Sequence, residues 1–473
     1  MQKQEDGLRS QALGISFTPG LPKGKGAKDV ATDQSGDLAA PWSVESTEMK
    51  QNAMRVLVLA PTTPTREQIT EFSFLDEEIR GLARAGVEPY ILTPGLERPE
   101  WAGSVRVLPG SRENIWTQRL DALALMTRHR ALLPPGCLRN PVGCIHRVRM
   151  EGLVAKAVQA HDIDVIHNHF GPFVGLGGVL ARAETGVPLV ATFRGMDLLA
   201  DESIGYGLRL NRFYSAACHT LLKFADTTTY ASDFMRAEGV RLGADPSRAI
   251  TIRKGVDLDH FHPVRDRSGL RAELGEDRPM ILTVAGLIRR KGIDTIIRAL
   301  APLKDAHDFT FVICGNGPEK KALEELAREL GIQDRIAFKG HVPREEIPRY
   351  FAACDIFVLA SRIEAAGNVI LEAMAAGRPV ITTDSGGPPE YVRDECTGYV
   401  VPVDDHEALA TRLQVLLENP EHQDELGAAG RNLVCEEHRY ERLIHEFVAV
   451  YREAGADGAH RIAPQTPSPE QGA

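Results

Sequence analysis

Short, almost unbroken apolar runs alternate along the chain with longer stretches where apolar residues recur every three or four positions. The runs are Val56-Leu57-Val58-Leu59, Tyr90-Ile91-Leu92, Val105-Arg106-Val107-Leu108, Asp164-Val165-Ile166-His167, Leu189-Val190-Ala191-Thr192, Thr227-Thr228-Thr229-Tyr230 and Ile250-Thr251-Ile252. A charged, proline-bearing stretch from Pro263 to Pro279 interrupts them. The pattern then restarts with Ile281–Val284, Phe309–Ile313, Ile336–Phe338, Ile356–Leu359, Val380–Thr382 and Tyr399–Val401. Helical spacing covers Gln68–Ala85, Asp294–Leu300, Lys320–Leu330, Val369–Ala376, Glu407–Leu417 and Tyr440–Arg452. Strands without alternation, separated by helices, predict parallel sheets covered on both faces. Two such series predict an α/β protein of two doubly wound, Rossmann-like parallel-sheet domains. Such sheets bind ligands at the carboxyl ends of their strands, so the cleft between the domains is the expected site.

The pattern sets the boundaries. Residues 1–53 carry little periodicity and read as a disordered leader. The first domain is expected over 54–262, a linker over 263–279 and the second domain over 280–435. A helix over 436–454 is placed to fold back on the first domain, with a disordered tail over 455–473. The segment Asn114–Arg149 breaks the rhythm: Arg119, Arg128, Arg130, Arg139, Arg147 and Arg149 lie among Trp116, Leu120, Leu123, Leu125 and Met126. It reads as an ordinary surface helix or as a basic amphipathic element touching an anionic membrane.

Composition narrows the classes. At 43% hydrophobic and 25% charged, the 473 residues are globular, and a net charge of -10 disfavours a nucleic-acid binder. No run is long enough for a membrane-spanning helix, and no signal peptide is expected behind Met1-Gln2-Lys3-Gln4-Glu5-Asp6. The seven cysteines are scattered without a C-x-x-C pair, as in a reducing cytoplasm. Gly175-Leu176-Gly177-Gly178 follows the wrong strand for a dinucleotide fingerprint, so a dehydrogenase is disfavoured and close helix packing expected. No metal site is expected: His167 and His169 lack further ligands, and of the two Asp-x-Asp pairs, Asp162-Ile163-Asp164 leads into a strand and Asp257-Leu258-Asp259 lies in a loop, neither reading as a metal site.

The densest chemistry follows the strand Ile356–Leu359, in Ser361-Arg362-Ile363-Glu364-Ala365-Ala366-Gly367-Asn368-Val369-Ile370-Leu371-Glu372. Glu364 falls in the loop at the strand's carboxyl end. Gly367 permits a tight path, and a helix starts near Asn368. The helix N-terminus suits a phosphate. Glu364 and Glu372, acceptor-only when ionised, suit sugar and ribose hydroxyls. Together these features describe a site for a sugar nucleotide.

That Glu-x7-Glu segment, with Ser385-Gly386-Gly387-Pro388-Pro389-Glu390 behind it, resembles the retaining glycosyltransferases of the GT-B fold. Lys254-Gly255-Val256-Asp257, Val284-Ala285-Gly286-Leu287 with Lys291-Gly292, Gly315-Asn316-Gly317-Pro318, Asp164–Phe170 and Thr192-Phe193-Arg194-Gly195-Met196-Asp197 match in order. The resemblance covers roughly residues 54–453. It looks closest to exopolysaccharide-building members of the colanic acid and amylovoran type. It implies two domains facing a central cleft and hexosyl transfer from a nucleotide-sugar donor to a saccharide or lipid-linked acceptor. It implies no cofactor and no bound metal, since the nucleotide-sugar is a substrate. It places the protein in the cytoplasm, free or at the inner face of the cytoplasmic membrane.

By that resemblance Glu364, Lys291 and Arg194 are catalytic. Glu372, Gly367, Asn368, Val369, Arg289, Arg290, Gly315 and Gly317 bind the donor, and His167, His169 and Asp197 line the acceptor side. Two positions depart from the family. Gly286 stands where Arg is usual, with Arg289 and Arg290 close enough to replace it. Arg194 stands where His is usual; it suits a phosphate or sugar carboxylate but is no general base at neutral pH. Two competing readings share the fold, a sugar-nucleotide epimerase and a non-catalytic sugar-nucleotide sensor or assembly partner. The extended C-terminal match opposes the first, and the presence of both glutamates opposes the second.

Overall fold

A computed structural model describes residues 53–60, 73–92, 100–102, 105–108, 123–134, 151–171 and 175–461. The leader up to residue 52, the end of the expected tail and most of the arginine-rich segment lie outside these residues.

Eight strands form the first sheet: β1 (Arg55–Leu59), β2 (Glu88–Leu92), β3 (Glu100–Ala102), β4 (Val105–Leu108), β5 (Val165–His169), β6 (Leu189–Phe193), β7 (Thr227–Tyr230) and β8 (Ala249–Thr251), in the order β3-β4-β2-β1-β5-β6-β7-β8. All pair in parallel except β3, a three-residue antiparallel edge strand the apolar pattern did not predict. The second sheet holds β9 (Met280–Val284), β10 (Thr310–Cys314), β11 (Ile336–Gly340), β12 (Ile356–Leu359), β13 (Val380–Thr383) and β14 (Gly398–Val401), all parallel, in the order β11-β10-β9-β12-β13-β14. The order reverses between β1 and β5 in the first sheet and between β9 and β12 in the second. Those reversals open the crevices in which doubly wound sheets take ligands.

Helices cover both faces. In α1 (Ser73–Arg84) the inward stripe is Leu75, Glu78, Ile79 and Leu82, the spacing of one helical face. After α2 (Glu151–Ala160), α3 (Gly175–Thr185) packs closely: a Cβ on Gly175 would come within 2.8 Å of Leu221, and one on Gly178 within 2.9 Å of Leu189. That is the packing role expected for this glycine run. The last helix of the first half, α5 (Asp233–Arg241), follows α4 (Arg212–Phe224).

The expected linker contains a short helix, α6 (Arg267–Glu273). Asp266 caps it by accepting from Gly269 N at 2.8 Å, and Arg267 and Arg271 pair with Asp355 of the second domain. Its polar composition and Gly269 hid it from the apolar pattern. In the second half follow α7 (Ile293–Leu300), α8 (Lys320–Glu329), α9 (Ile347–Ala353), α10 (Asn368–Ala375), α11 (His406–Glu418) and α12 (Pro420–Glu437).

The last helix, α13 (Tyr440–Arg461), crosses back to the first sheet. Its Leu443, Ile444, Phe447, Val448 and Tyr451 share a core with Val56, Val58, Ile79, Val165 and Val190. Ile444 and Phe447, 3% and 1% exposed, each contribute about 1.5–3 kcal/mol of burial to that docking. The helix runs on to Arg461, past the 454 boundary read from sequence, with Ala454 still on its buried stripe. In the described part of the arginine-rich segment, Leu125, Met126 and Leu133 are buried in the core, while Arg128 and His129 pair with Glu184. These apolar residues serve the interior of the protein. Among the described residues no helix is long and apolar enough to cross a membrane.

Candidate active site

The crevice of the second sheet carries the residues that the motif singled out. The loop after β9 ends in a single turn, Arg289–Lys291, and the loop after β12 holds Glu364. These strands are neighbours at the order reversal, so residues 73 positions apart meet. Lys291 Nζ donates to Glu364 Oε2 at 2.5 Å, and Arg290 Nη1 and Ser361 Oγ donate to the same oxygen at 3.1 Å each. Burial alone would raise the Glu364 carboxyl; Lys291 and Arg290 beside it outweigh that and hold it at about 2. Burial and Arg290 push Lys291 down, against the pull of Glu364. Three charges thus meet in one desolvated spot, with two cations against one carboxylate.

Of the two candidate replacements for the family arginine, Arg290 is the one that reaches Glu364. Its guanidinium also lies 4.7 Å from the ring centre of Tyr206, from the opposite domain. Arg289 is exposed, and its carbonyl receives Arg362.

Gly367, at φ +83, turns the chain from the Glu364 loop into α10. No side chain caps this helix, so the first-turn N–H groups of Asn368, which is exposed, and Val369 are open to an anion. Glu372 lies on α10. Burial and Glu77 push its carboxyl up while Arg344 pulls it down, leaving it at about 7. Arg344 itself pairs with Glu77 of the first domain.

Gly315 and Gly317 act through close approach. A Cβ on Gly315 would stand 1.9 Å from Ala285 O, and one on Gly317 2.3 Å from Leu287 O. They let the loop after β10 pack against the loop after β9 and shape the site from behind.

The rim of the first sheet differs from expectation. Arg194 follows β6, but its guanidinium is 6% exposed and turned onto Glu78, at 2.7 and 2.9 Å to the two carboxylate oxygens. The same nitrogen donates to His169 Nδ1 at 2.7 Å, which puts the ring proton of His169 on Nε2. Burial first, then His167, Arg194 and Lys254, push His169 well below the usual histidine range, so it is neutral.

His167 is not an acceptor-lining residue. It is fully buried, with Nε2 on Thr192 Oγ1 at 2.6 Å and Nδ1 on the Tyr451 hydroxyl at 2.5 Å. His169, equally buried, supports Arg194 and does not line the cleft. Asp197, also fully buried, accepts the backbone N–H groups of Arg194 and Gly195. Burial raises it to about 6 against those bonds, and its role is to hold the turn that carries Arg194. His167 and His169 lie on β5, a strand buried on both faces, and Asp197 follows β6 in the turn that its carboxylate holds.

Two residues here escaped the motif reading. Glu78 interrupts the apolar stripe Leu75, Ile79, Leu82 of α1, and a carboxylate on an inward face must find a cation. Lys254, pushed down to about 7 by burial and Arg194 against the pull of Glu78, lines with Arg194, Thr192, Thr229 and Tyr230 a small cavity of about 10 Å³ that Leu443 and Phe447 of α13 also border. The halves also touch directly. Ser232 Oγ donates to Ala365 O at 2.6 Å, and Glu390 accepts the N–H groups of Asp233 and Phe234 at 2.8 Å each.

Comparison with known proteins agrees with this geometry. Residues 267–433 match the family described as glycosyl transferases group 1, and residues 73–260 match glycosyltransferase family 4. A GDP-mannose-dependent alpha-(1-6)-phosphatidylinositol monomannoside mannosyltransferase of Mycolicibacterium smegmatis is 30% identical over 71% of this chain and 83% of its own length. A D-inositol 3-phosphate glycosyltransferase of Salinispora tropica is 32% identical over 66% of this chain and 68% of its own. In shape, sucrose-phosphate synthase from Thermosynechococcus elongatus superposes with a TM-score of 0.67 at 22% identity, covering 85% of this chain and all of that one. Anabaena HepE, solved with UDP and glucose, gives 0.63 at 20% identity, with 85% and 100% covered. With both halves matched in order and the Glu364 constellation at the switch point of the second sheet, the chain belongs to the glycosyl transferases group 1 family and is a glycosyltransferase of the GT-B fold.

Proposed function

We propose that this glycosyltransferase moves a hexose from a nucleotide-sugar donor to a hydroxyl of a saccharide or lipid-linked acceptor, with retention at the anomeric carbon, in the assembly of an exopolysaccharide or related cell-surface glycolipid. The observation that carries this reading is Lys291 and Arg290 gathered on Glu364 beside the uncapped start of α10. The donor diphosphate would meet the two cations and the first-turn N–H groups, the ribose Glu372, and the sugar Glu364, whose Oε1 takes none of the three donors on Oε2.

In the reaction the bond from C1 to the phosphate oxygen breaks as the acceptor oxygen bonds C1 on the same face. The acceptor proton passes to the departing phosphate. Negative charge grows on the nucleoside diphosphate, and cations already fixed there stabilise the transition state more than the ground state. Two side-chain cations do this work in the proposed reaction, with no cofactor or resident metal called on. Closure of the domains would exclude water and limit donor hydrolysis. The mannosyltransferase relative names GDP-mannose and a phosphatidylinositol mannoside, which favours a GDP-hexose donor and an acceptor met at the inner face of the cytoplasmic membrane.

The test is nucleoside diphosphate release from GDP-mannose, UDP-glucose and ADP-glucose, with detergent-extracted cell lipid as acceptor. Release from one donor, stimulated by lipid, with an α-configured product by NMR, is the expected result. An inverted product sinks the retaining assignment. Binding without release from any donor sinks the enzyme reading.

A further inference from the structure

We propose that Glu78 is a positioning residue for sugar transfer: it fixes the place of Arg194, and with it the turn at the acceptor-side rim. The proposal rests on the sugar-transfer reading above. Glu78 is 2% exposed, on the inward face of α1 among Leu75, Ile79 and Leu82. A carboxylate in that stripe costs stability unless a cation meets it. Arg194 does so with one nitrogen near both oxygens, and that nitrogen also holds neutral His169.

His169 in turn lies against His167, ring centres 3.9 Å apart, and His167 is held by Tyr451 of α13 and by Thr192. The guanidinium is therefore braced by three elements of the first half and by the helix that arrives from the second. Its backbone stays at the cleft: a Cβ on the adjacent Gly195 would lie 3.2 Å from Ala365, next to Glu364. The ion pair thus anchors, from behind, the turn whose backbone meets the Glu364 loop, without leaving an unpaired buried charge. Lys254 borders the same small cavity, and Glu78 is the group that pulls its ammonium toward the charged form against burial and Arg194.

The experiment uses full-length protein and the lipid-stimulated release assay with GDP-mannose, UDP-glucose and ADP-glucose, with melting temperature measured on every variant. E78Q should lower kcat at least tenfold, leave KM for the donor within twofold, and lower the melting temperature. The pair E78Q/R194M removes both charges. It should recover most of the melting temperature while kcat stays at least tenfold down. A purely structural Glu78 would show kcat recovering together with the melting temperature in the double variant, and that result overturns the proposal. So does E78Q with kcat within threefold of wild type. If wild type releases nothing from any of the three donors, the transfer reading fails and takes this assignment with it.

Discussion

At the rim of the second sheet a carboxylate gathers cations. At the rim of the first, a cation is gathered by a carboxylate from another layer. Glu364 draws Lys291, Arg290 and Ser361 from loops at the ends of adjacent strands. Arg194 is drawn 116 positions back along the chain to Glu78 on a helix packed over the sheet. Both pairs are nearly dry, yet they do different work. The first leaves an excess of positive charge where a diphosphate would lose its sugar. The second balances its charge inside the first domain and presents backbone, not guanidinium, to the opposite loop. A charge near the reacting bond gains from being unbalanced, because it acts on charge that develops later. A charge that sets geometry gains from being balanced.

The largest expected effect breaks the first pair. Glu364→Gln leaves Lys291 and Arg290 facing each other with side chains 15% and 17% exposed. Breaking one partner of a buried ion pair costs about 3–5 kcal/mol. Chemical denaturation at pH 7 should show that loss. The folded Glu364 carboxyl sits at about 2, below its ordinary value. Its contribution is therefore full above the unfolded pKa and lost as pH falls through about 4.5 toward 2. The gap between wild type and Glu364→Gln should narrow over that window; a constant gap would mean that the pair does not carry it.

Next comes Lys291→Ala, which should cut the rate of nucleoside diphosphate release about 10²-fold or more, the scale for removing one preorganised donor at a developing charge. The comparison predicts the loss in kcat, with donor KM changing less. A loss confined to KM would place Lys291 in ground-state binding.

The contrast also explains what the amino-acid sequence could disclose. The two sheets were legible because strands buried on both faces leave unbroken apolar runs, as in Val56–Leu59 and Ile356–Leu359. The Glu364 site was legible because its residues sit in short contiguous segments at strand ends, and topology alone brings them together. Glu78 was not, since five strands, β2 to β6, separate it from its partner along the chain and the one sign is an acidic residue in an apolar stripe. The roles of His167, His169 and Asp197 were misread for the same reason. Their place in order matched the cleft, but direction is set by packing, and Tyr451, which holds His167, comes from a helix 284 positions away. The edge strand Glu100–Ala102 is three residues long and the helix Arg267–Glu273 is short and polar, and they are held by pairing with β4 and by Asp355 more than by any pattern of their own.

A smaller effect concerns Glu372, whose raised carboxyl has the opposite sign. Burial places it at about 7 in the folded chain, above its ordinary value. The folded state therefore holds its proton longer than the unfolded one, and stability falls as pH rises from about 4.5 to 7. Glu372→Gln should be more stable than wild type at pH 8, by about 1–2 kcal/mol for a partly solvated group, and that advantage should vanish by pH 4.5. The same variant should bind GDP or UDP more weakly and lack the strengthening of affinity expected of wild type as pH rises through 7. Equal stability of the two proteins at pH 8 would remove Glu372 from the desolvated edge of the site.

The smallest effect sharpens the comparison most. If the site depends on excess positive charge and not on the origin of the cation, Arg290 has already taken the place of the missing family arginine. Gly286 is exposed, and a Cβ there would meet only Asn316 O, at 3.8 Å. Gly286→Arg should then fold with stability within about 0.5 kcal/mol of wild type. It should change the rate of donor turnover less than threefold, because Lys291 and Arg290 already balance the leaving diphosphate. Placed on Arg290→Ala, the same substitution should restore most of the lost rate. A gain well above threefold on the wild-type background would mean that the site is short of positive charge, and that Arg290 serves Tyr206 and the closed cleft more than the departing phosphate.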